Sequence, residues 1–290
     1  MKKSFTVILV TVAMATTLAL FGCTSGISKS QTDTTVSGSA ADGAGEKPES
    51  GEKQVWLETV CTSLNERYTS YSYYDEYGNK VKTVKKDFEG NIRATWIYEY
   101  DGNNNLLKSS VITEGREPFV QMINKYDERG NLIERTDYTS ERTSFYNYDE
   151  QNRLLSVSSN GKYVTEYSYD GQGRIKTISE NGEVIFRYTY FEDGSYKSVN
   201  TLERNCYTVY NAEGKITEKN EDDCKQTYKY SDNGRTTEYA VYTDGELSSK
   251  LVYPLDENGN YTKCIRVFPD GTERVTLEFE FELFSVKTRP

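Results

Sequence analysis

The feature that most constrains this fold is a tyrosine–aspartate pair that returns at a nearly constant interval. Tyr-Asp or a close variant begins at residues 74, 100, 126, 148, 169, 190, 210, 230 and 253, so the intervals are 26, 26, 22, 21, 21, 20, 20 and 23 residues. A period of about twenty residues is typical of repeat architectures, in which short units pack against their neighbours. We therefore expect a row of similar units rather than a globule with one central core.

Residues 167–175 have the composition of a strand, a tight turn and a returning strand. Asp170 can accept hydrogen bonds from the turn backbone, and Gly173 supplies the positive φ that a short hairpin connection needs. A second reversal closes each unit, and Asn-Gly or Asp-Gly pairs mark it at residues 160–161, 181–182, 244–245 and 270–271. Each unit is therefore predicted to be a β-hairpin.

The number of hairpins predicts a curved sheet. Nine hairpins supply about eighteen strands, more than an open twisted sheet sustains before it curls or splits. Only 36% of residues are apolar and the mean hydropathy is −0.75, so the core should be thin and the 25 tyrosines should carry much of the burial. We predict an all-β fold: an elongated antiparallel meander of hairpin repeats that is curled, spiral or partly closed.

The repeat domain is predicted at residues 55–290, with a cap strand at each end. Apolar structure begins at residues 54–57. Residues 275–283 alternate apolar and acidic side chains without a fault, which is typical of a strand packed on one face. As an edge strand, this segment would use its glutamates to discourage edge-to-edge association.

Residues 1–22 resemble a bacterial lipoprotein signal peptide. A positively charged start precedes an apolar run over residues 5–20 that is shorter than a membrane-spanning helix, and the run leads into Leu-Phe-Gly-Cys at residues 20–23. This ending is similar to a lipobox, which implies a diacylglyceryl group on the Cys23 thiol and a mature chain that begins at Cys23. An ordinary secretory signal and an uncleaved anchor are the alternatives.

Residues 23–54 are predicted to be the lipidated cysteine followed by a disordered tether. They are mainly Ser, Thr, Gly, Ala, Asp, Glu and Lys, and they include no aromatic side chain. Such a segment cannot bury enough surface to offset its ordering entropy. We therefore expect the repeat domain on the extracytoplasmic face of the cell membrane, held there by the lipid anchor.

The hairpin units resemble the YD repeats of the RHS family, whose pattern is approximately Tyr-x-Tyr-Asp-x-x-Gly-Arg-Leu. Residues 167–175 fit it with isoleucine for leucine, residues 146–154 fit it with Asn152 in the glycine position, and residues 126–132 are a third copy. The resemblance covers roughly residues 70–275. In that family the repeats form long β-sheet shells, sometimes around a toxin. This chain is too short for a full enclosure and has neither a Tyr-Asp-Pro core motif nor a separate C-terminal toxin domain, so the resemblance implies surface display or recognition.

Composition excludes several kinds of chemistry. The chain has no histidine, so it cannot build a Ser-His-Asp or Cys-His catalytic group or a His-ligated metal site by itself. Its net charge is −10, and it would be −12 without the two lysines of the predicted signal peptide. Such an acidic protein repels phosphate backbones, so nucleic-acid binding is disfavoured. No nucleotide-binding loop or nucleophile elbow occurs. We expect no catalytic residue, no metal and no cofactor.

Tyrosines spaced two residues apart, such as Tyr98 and Tyr100, have two interpretations. They could form an exposed aromatic ladder that stacks on sugars or peptides, or they could pack in the core and across strands. Equivalent strands of neighbouring units lie about 10 Å apart, and aliphatic side chains would fill the gaps between the rings. Packing is therefore the favoured interpretation.

The acidic turns and the cysteines also have two interpretations each. Residues 101–105 and 256–260 are rich in calcium-binding residue types, but they lack the spacing of known calcium loops, so turn chemistry explains them better. The cysteines beyond Cys23 are Cys61, Cys206, Cys224 and Cys264. Cys206 and Cys224 would lie about 10 Å apart in a flat meander, too far for a disulfide, so a bridge requires strong twist and free thiols are the alternative.

Together these features predict a lipid-anchored extracytoplasmic repeat protein with a non-catalytic role in recognition or adhesion. Its ligand would be a surface polysaccharide or a protein. One alternative is a cell-wall-binding hairpin-repeat module, although Trp56 and Trp96 are the only tryptophans and the Gly-Trp signature of such modules is missing. Another is a glycan-active enzyme that uses paired carboxylates, although no pair stands out.

Overall fold

The structure is a computed structural model, and it describes residues 52–287. These residues form twenty β-strands and no helix. The strands are β1 Glu52–Ser63, β2 Tyr68–Tyr74, β3 Lys80–Asp87, β4 Ile92–Tyr100, β5 Leu106–Thr113, β6 Phe119–Tyr126, β7 Leu132–Asp137, β8 Arg142–Tyr148, β9 Leu154–Ser159, β10 Tyr163–Tyr169, β11 Ile175–Glu180, β12 Glu183–Tyr190, β13 Tyr196–Asn200, β14 Tyr207–Tyr210, β15 Ile216–Glu221, β16 Cys224–Tyr230, β17 Thr236–Thr243, β18 Glu246–Val252, β19 Lys263–Val267 and β20 Glu273–Lys287.

Each strand pairs antiparallel with the strand before it, and the last strand closes the sheet on the first. β20 pairs with β19 on one side and with β1 on the other, where the register runs from Glu52 opposite Lys287 to Ser63 opposite Leu277. β1 in turn pairs with β2. The twenty strands therefore form one closed ring in which every strand has a neighbour on both sides.

The ring has a tyrosine face and a charged face because side chains alternate along each strand. In β4, Tyr98 and Tyr100 are half-buried on one face, whereas Glu99 between them is exposed on the other. Glu99 lies opposite Lys108 in the register, and their charged groups are 2.8 Å apart. The register carries this alternation round the ring, so the more buried tyrosine face lines the inside and cross-strand ion pairs lie outside.

The turns gather at two rims of the ring. The turns that follow the tyrosine pairs form one rim, which we call the Asp rim; they occupy residues 75–79, 101–105, 127–131, 149–153, 170–174, 191–195, 211–215, 231–235 and 253–262. The remaining turns form the opposite rim. Glu52 and Lys287 lie at the Asp rim, where the Lys287 amine is 2.8 Å from the carboxylate of Glu76. The described chain therefore begins and ends at the same rim.

β-bulges at the tyrosine pairs curve the sheet. The register shifts by one residue immediately before the tyrosine that precedes the turn in seven Asp-rim hairpins, at residues 74, 100, 126, 148, 169, 210 and 230. A bulge bends its strand and increases the local right-handed twist. Register shifts also occur in five hairpins of the opposite rim, so the bends are distributed round the sheet and help to bring β20 back to β1.

The core is thin and partly polar. Ten apolar side chains among the described residues are buried, and fourteen polar or charged ones are buried with them. Several of the buried polar residues are small and lie opposite a ring: Ser109 faces Tyr98, and Ser198 faces Tyr188. A small side chain in the cross-strand position leaves room for the ring to lie along the inner face.

The predicted fold class, a curled antiparallel meander of hairpins, is confirmed. The eighteen hairpin strands correspond to β2–β19, and the two cap strands are β1 and β20. Three details differ. Residues 52–54, predicted to end the tether, begin β1. Residues 275–283 lie in β20, which is paired on both sides, so their glutamates protect no free edge. The ring closes completely because the cap strands pair with each other.

Candidate functional site

The turn after each tyrosine pair is held by its aspartate. The Oδ1 atom of Asp170 accepts hydrogen bonds from the backbone N–H groups of Gln172 and Arg174, each at 2.9 Å. The Asp170 N–H donates to the Arg174 carbonyl at 2.8 Å, and the Gly173 N–H donates to the Asp170 carbonyl at 3.0 Å. Gly173 has φ +79, and Asn152 in the equivalent position has φ +61, as the sequence predicted.

These hydrogen bonds favour the ionised carboxylates. The Arg174 N–H is the largest cause that holds the pKa of Asp170 below its ordinary value, and the Asn131 side-chain amide is the largest cause for Asp127. Asn211 and Ser231 replace aspartate in two degenerate turns, and each still accepts a hydrogen bond from the N–H four residues later. The acidic residues of this rim are thus explained by turn formation.

The residue after the turn glycine links one unit to the next, a role that the sequence analysis did not assign. The Nε atom of Arg174 donates to the Oδ2 atom of Asp170 at 2.8 Å, and its guanidinium lies 4.1 Å from the centre of the Tyr190 ring in the next hairpin. Arg153 repeats this geometry with Asp149 and Tyr169, at 2.6 and 4.7 Å. The arginine of the repeat pattern, present in this chain at residues 153, 174 and 235, is the signal that could have revealed this cation–π contact.

The tyrosine that precedes the turn fastens neighbouring hairpins together in seven of the nine Asp-rim hairpins. The Tyr169 hydroxyl donates to the Leu154 carbonyl at 2.7 Å, and the β9–β10 ladder begins only at Ser156. The hydroxyl therefore donates to a carbonyl that has no hydrogen-bond partner in the β9–β10 ladder. The same bond joins Tyr74 to Glu58, Tyr100 to Lys80, Tyr126 to Leu106, Tyr148 to Leu132, Tyr190 to Ile175 and Tyr230 to Ile216, at 2.6 to 3.0 Å.

The first tyrosine of each pair lies deeper in the inner face. Tyr167 is only 7% exposed, and burial raises its pKa to about 12. Two tyrosines outside these pairs, Tyr196 and Tyr210, stack with ring centres 4.5 Å apart, and burial raises the pKa of Tyr196 to about 12 as well. Both tyrosines of a pair therefore serve packing, as favoured from the sequence, and they do not form an outward ladder for sugars.

The remaining predictions concern metal sites, the cysteines and the membrane anchor. In residues 52–287 no three His, Cys, Asp or Glu side chains gather into a metal site, and the Oδ1 atom of Asp256 accepts two turn hydrogen bonds. Cys206, Cys224 and Cys264 are free thiols, and Cys61 is buried. Cys23, the predicted lipid attachment residue, lies outside the described residues. The part of the chain that the structure describes has no helix that could span a membrane.

The opposite rim carries a feature that sequence reasoning missed. Large apolar side chains are exposed at five consecutive turns of this rim, those that follow β1, β3, β5, β7 and β9. We call this set the apolar row: Leu64, Phe88, Ile92, Phe119, Tyr138 and Tyr163. A cleft of about 340 Å³ opens within the row, between Ile92 and the turn at residues 114–117.

A family comparison matches the centre of the domain. Residues 126–162 and 148–184 each match the RHS Repeat family. Residues 126–184 are thus similar to RHS repeats. The turn and tyrosine geometry described above continues outside the matched residues, from the Tyr74 hairpin to the Tyr230 hairpin, so the matched segment is flanked by hairpins built in the same way.

Comparisons with whole proteins give distant similarities. No curated protein matches the chain. A TcdB2-TccC3-Cdc42 structure is 13% identical, with a TM-score of 0.42 over 76% of this chain and 15% of that one. A Tc holotoxin pore from Photorhabdus luminescens is 15% identical, with a TM-score of 0.33 over 74% and 9%. A porin-like protein from Bacteroides uniformis is 15% identical, with a TM-score of 0.32 over 79% and 96%. The chain thus spans about 15% of the first toxin chain.

Proposed function

We propose that this protein is a lipid-anchored, extracytoplasmic recognition protein that binds a surface polysaccharide or a protein and catalyses no reaction. One observation carries the proposal: the recurring side chains of the repeat are committed to the fold. The aspartates hold turns, the arginines lie over rings, and the second tyrosines bond to carbonyls of the preceding hairpin. The repeat thus builds a frame, and the surface of that frame is available for contact.

A frame of this kind suits presentation outside the cell. The chain enters the ring at Glu52, on the Asp rim, so a tether from Cys23 would attach there and leave the opposite rim facing away from the attachment point. Two acyl chains of a lipid anchor are enough for stable membrane attachment. The proposal therefore joins the resemblance of residues 20–23 to a lipobox with the geometry of the ring.

The anchor is tested by substituting Cys23. In the producing cell, the wild-type protein should partition with membranes and incorporate labelled fatty acid, and Cys23→Ser should retain its leader and lose the label. A Cys23→Ala variant should behave in the same way, since neither side chain provides a thiol. A substituted protein that still acquires the label would refute lipidation at Cys23.

Recognition is tested by binding. The purified mature protein should bind saturably to one fraction among isolated wall polymers, glycan arrays and surface proteins of the producing organism and its neighbours. The same preparation should release no product from those glycans. A complete lack of saturable binding contradicts a recognition role, and turnover of a glycan would favour an enzyme instead.

A further inference from the structure

The apolar row lies at the rim farthest from the point where the chain enters the ring. Phe119 is 46% exposed, Tyr138 45% and Ile92 52%, and each lies at or beside a turn of that rim. Equivalent turns are two strands apart, which corresponds to about 10 Å, so five turns extend over about 40 Å. A run of exposed rings and aliphatic side chains of this length is unusual on a surface that contacts only water.

Several charged side chains beside the apolar row form ion pairs, and those that do not include both signs, such as Arg116 and Glu117. Arg93 lies between two acidic residues, with its guanidinium at 2.5 Å from Asp87 and 3.4 Å from Glu114. Arg67 is 3.9 Å from Glu89, and its guanidinium lies 5.6 Å from the Phe88 ring. This part of the rim therefore presents apolar surface with little net charge.

The cleft within the row is large enough to admit a side chain. It measures about 340 Å³, and it is lined by Ile92, Ile112, two threonines and the charged turn at residues 114–117. Tightly bound protein partners usually place a large apolar side chain in such a pocket near the centre of the contact. The cleft lies between Phe88 on one side and Phe119 on the other along the row.

The next part of the same rim carries an excess of carboxylates. The turns that follow β11, β15 and β17 expose five carboxylates that form no ion pair within residues 52–287; we call them the acidic arc: Glu183, Asp222, Asp223, Asp244 and Glu246. No lysine or arginine lies within these three turns, and the turn after β13, which lies among them, adds Glu203, Arg204 and the exposed Leu202. This part of the rim is therefore more acidic than the part that carries the apolar row.

We propose that the opposite rim is a docking surface for a protein whose contact face has an apolar ridge beside a patch of lysine and arginine. The ridge would cover the apolar row and fill the cleft, and the basic patch would face the acidic arc. This inference rests on the proposed function, since it takes the domain to be a recognition protein, and it identifies the surface and the class of ligand.

Other occupants fit the rim less well. A second copy of this chain carries a net charge of −10, so it would bring like charge to the acidic arc. An anionic membrane surface is repelled for the same reason. A polysaccharide could stack on the exposed rings of the apolar row, but it brings no lysine or arginine patch to the acidic arc.

The docking surface is tested first by photo-crosslinking in the producing cell. The full chain carries p-benzoylphenylalanine at position 119 or 138, or at position 191 as the control. Phe191 is 48% exposed, like Phe119, but lies in an Asp-rim turn. We expect one protein to be captured from positions 119 and 138 and not from position 191. Capture of only a second copy, equal capture at position 191, or no capture at the rim overturns the proposal.

The captured protein is then purified and its binding to the full chain is measured. Phe119→Ser should weaken binding by about tenfold or more, and Phe191→Ser should leave it unchanged. The triple variant Asp222→Asn, Asp223→Asn, Asp244→Asn keeps the turns, since asparagine tolerates positive φ, and it should slow association and reduce the dependence on salt. An effect of Phe119→Ser below about twofold, with melting unchanged, refutes the inference.

These results also separate this inference from the proposed function. Saturable binding that survives Phe119→Ser, or a partner captured only at the Asp rim, contradicts the docking surface and leaves recognition standing. An absence of binding to every wall fraction, glycan and surface protein contradicts both.

Discussion

Removal of a single hydroxyl tests the bond that joins neighbouring hairpins. Tyr169→Phe deletes the donor that lies 2.7 Å from the Leu154 carbonyl and keeps the ring under the Arg153 guanidinium. A typical hydrogen bond contributes about 1 kcal/mol net, and a buried acceptor left without a partner adds about 1 to 3 kcal/mol. Because Tyr169 is only half-buried and water can reach part of the gap, we expect a loss of about 1 to 2 kcal/mol.

Urea unfolding followed by tyrosine fluorescence measures this loss. For a slope of about 3 kcal/mol per molar, the midpoint should fall by roughly 0.5 M. Tyr163→Phe is the matched control, because Tyr163 begins the same strand, is 49% exposed and lies at the opposite rim; its midpoint should not change. The double variant Tyr148→Phe, Tyr169→Phe should lose about the sum of the single losses, since each hydroxyl serves a different carbonyl. Equal midpoints for Tyr169→Phe and Tyr163→Phe would show that the hydroxyl bonds do not hold the hairpins together.

Two further predictions concern the turn that Asp170 holds. Gly173→Ala forces a side chain to φ +79 and should lower stability by about 1 to 2 kcal/mol, whereas Gly171→Ala, with nothing within 4 Å of the added carbon, should be nearly neutral; equal melting temperatures for the two variants would contradict the turn geometry. The pKa of Asp170 in the folded protein lies below its ordinary value of 3.8. The stabilisation that the ionised carboxylate gives is therefore complete above pH 3.8 and is lost as the pH falls through the pKa of the folded protein. The stability gap between wild type and Asp170→Asn, measured by urea midpoints, should therefore be largest at neutral pH and shrink in acid; a gap that widens in acid would be incompatible with a depressed pKa.

The local structure could be predicted from the sequence because it depends on neighbouring residues. Asp170 and Gly173 specify a turn within a few residues, and Asn152 in place of glycine adopts the same backbone region. Strand existence followed from alternation, as in residues 275–283, whereas the first cap strand was indicated by the start of apolar residues at 54–57. The inward orientation of the tyrosine pairs followed from composition, since few other apolar side chains were available for burial.

Closure of the ring and the partners of the side chains could not be predicted in this way. Closure depends on bends added over many bulges and on the match between β1 and β20, which are more than two hundred residues apart. The carbonyl that receives each tyrosine hydroxyl lies fourteen to twenty residues away, in another hairpin. The apolar row was missed because Phe119 and Tyr163 read as ordinary strand residues, and only the placement of their turns shows that they share a rim.

The pairing of Glu52 with Lys287 makes the order of the hairpins along the chain arbitrary for this architecture. A short linker between these two residues would turn the described segment into a continuous loop, which could be cut at residues 181–182, an exposed Asn-Gly turn, without breaking a strand. Such a circular permutant should fold to the same structure and would carry its tether on the opposite rim. It would present the Asp rim, in place of the apolar row, on the side away from the tether. The orientation of the ring would be reversed, and its exposed residues would be unchanged.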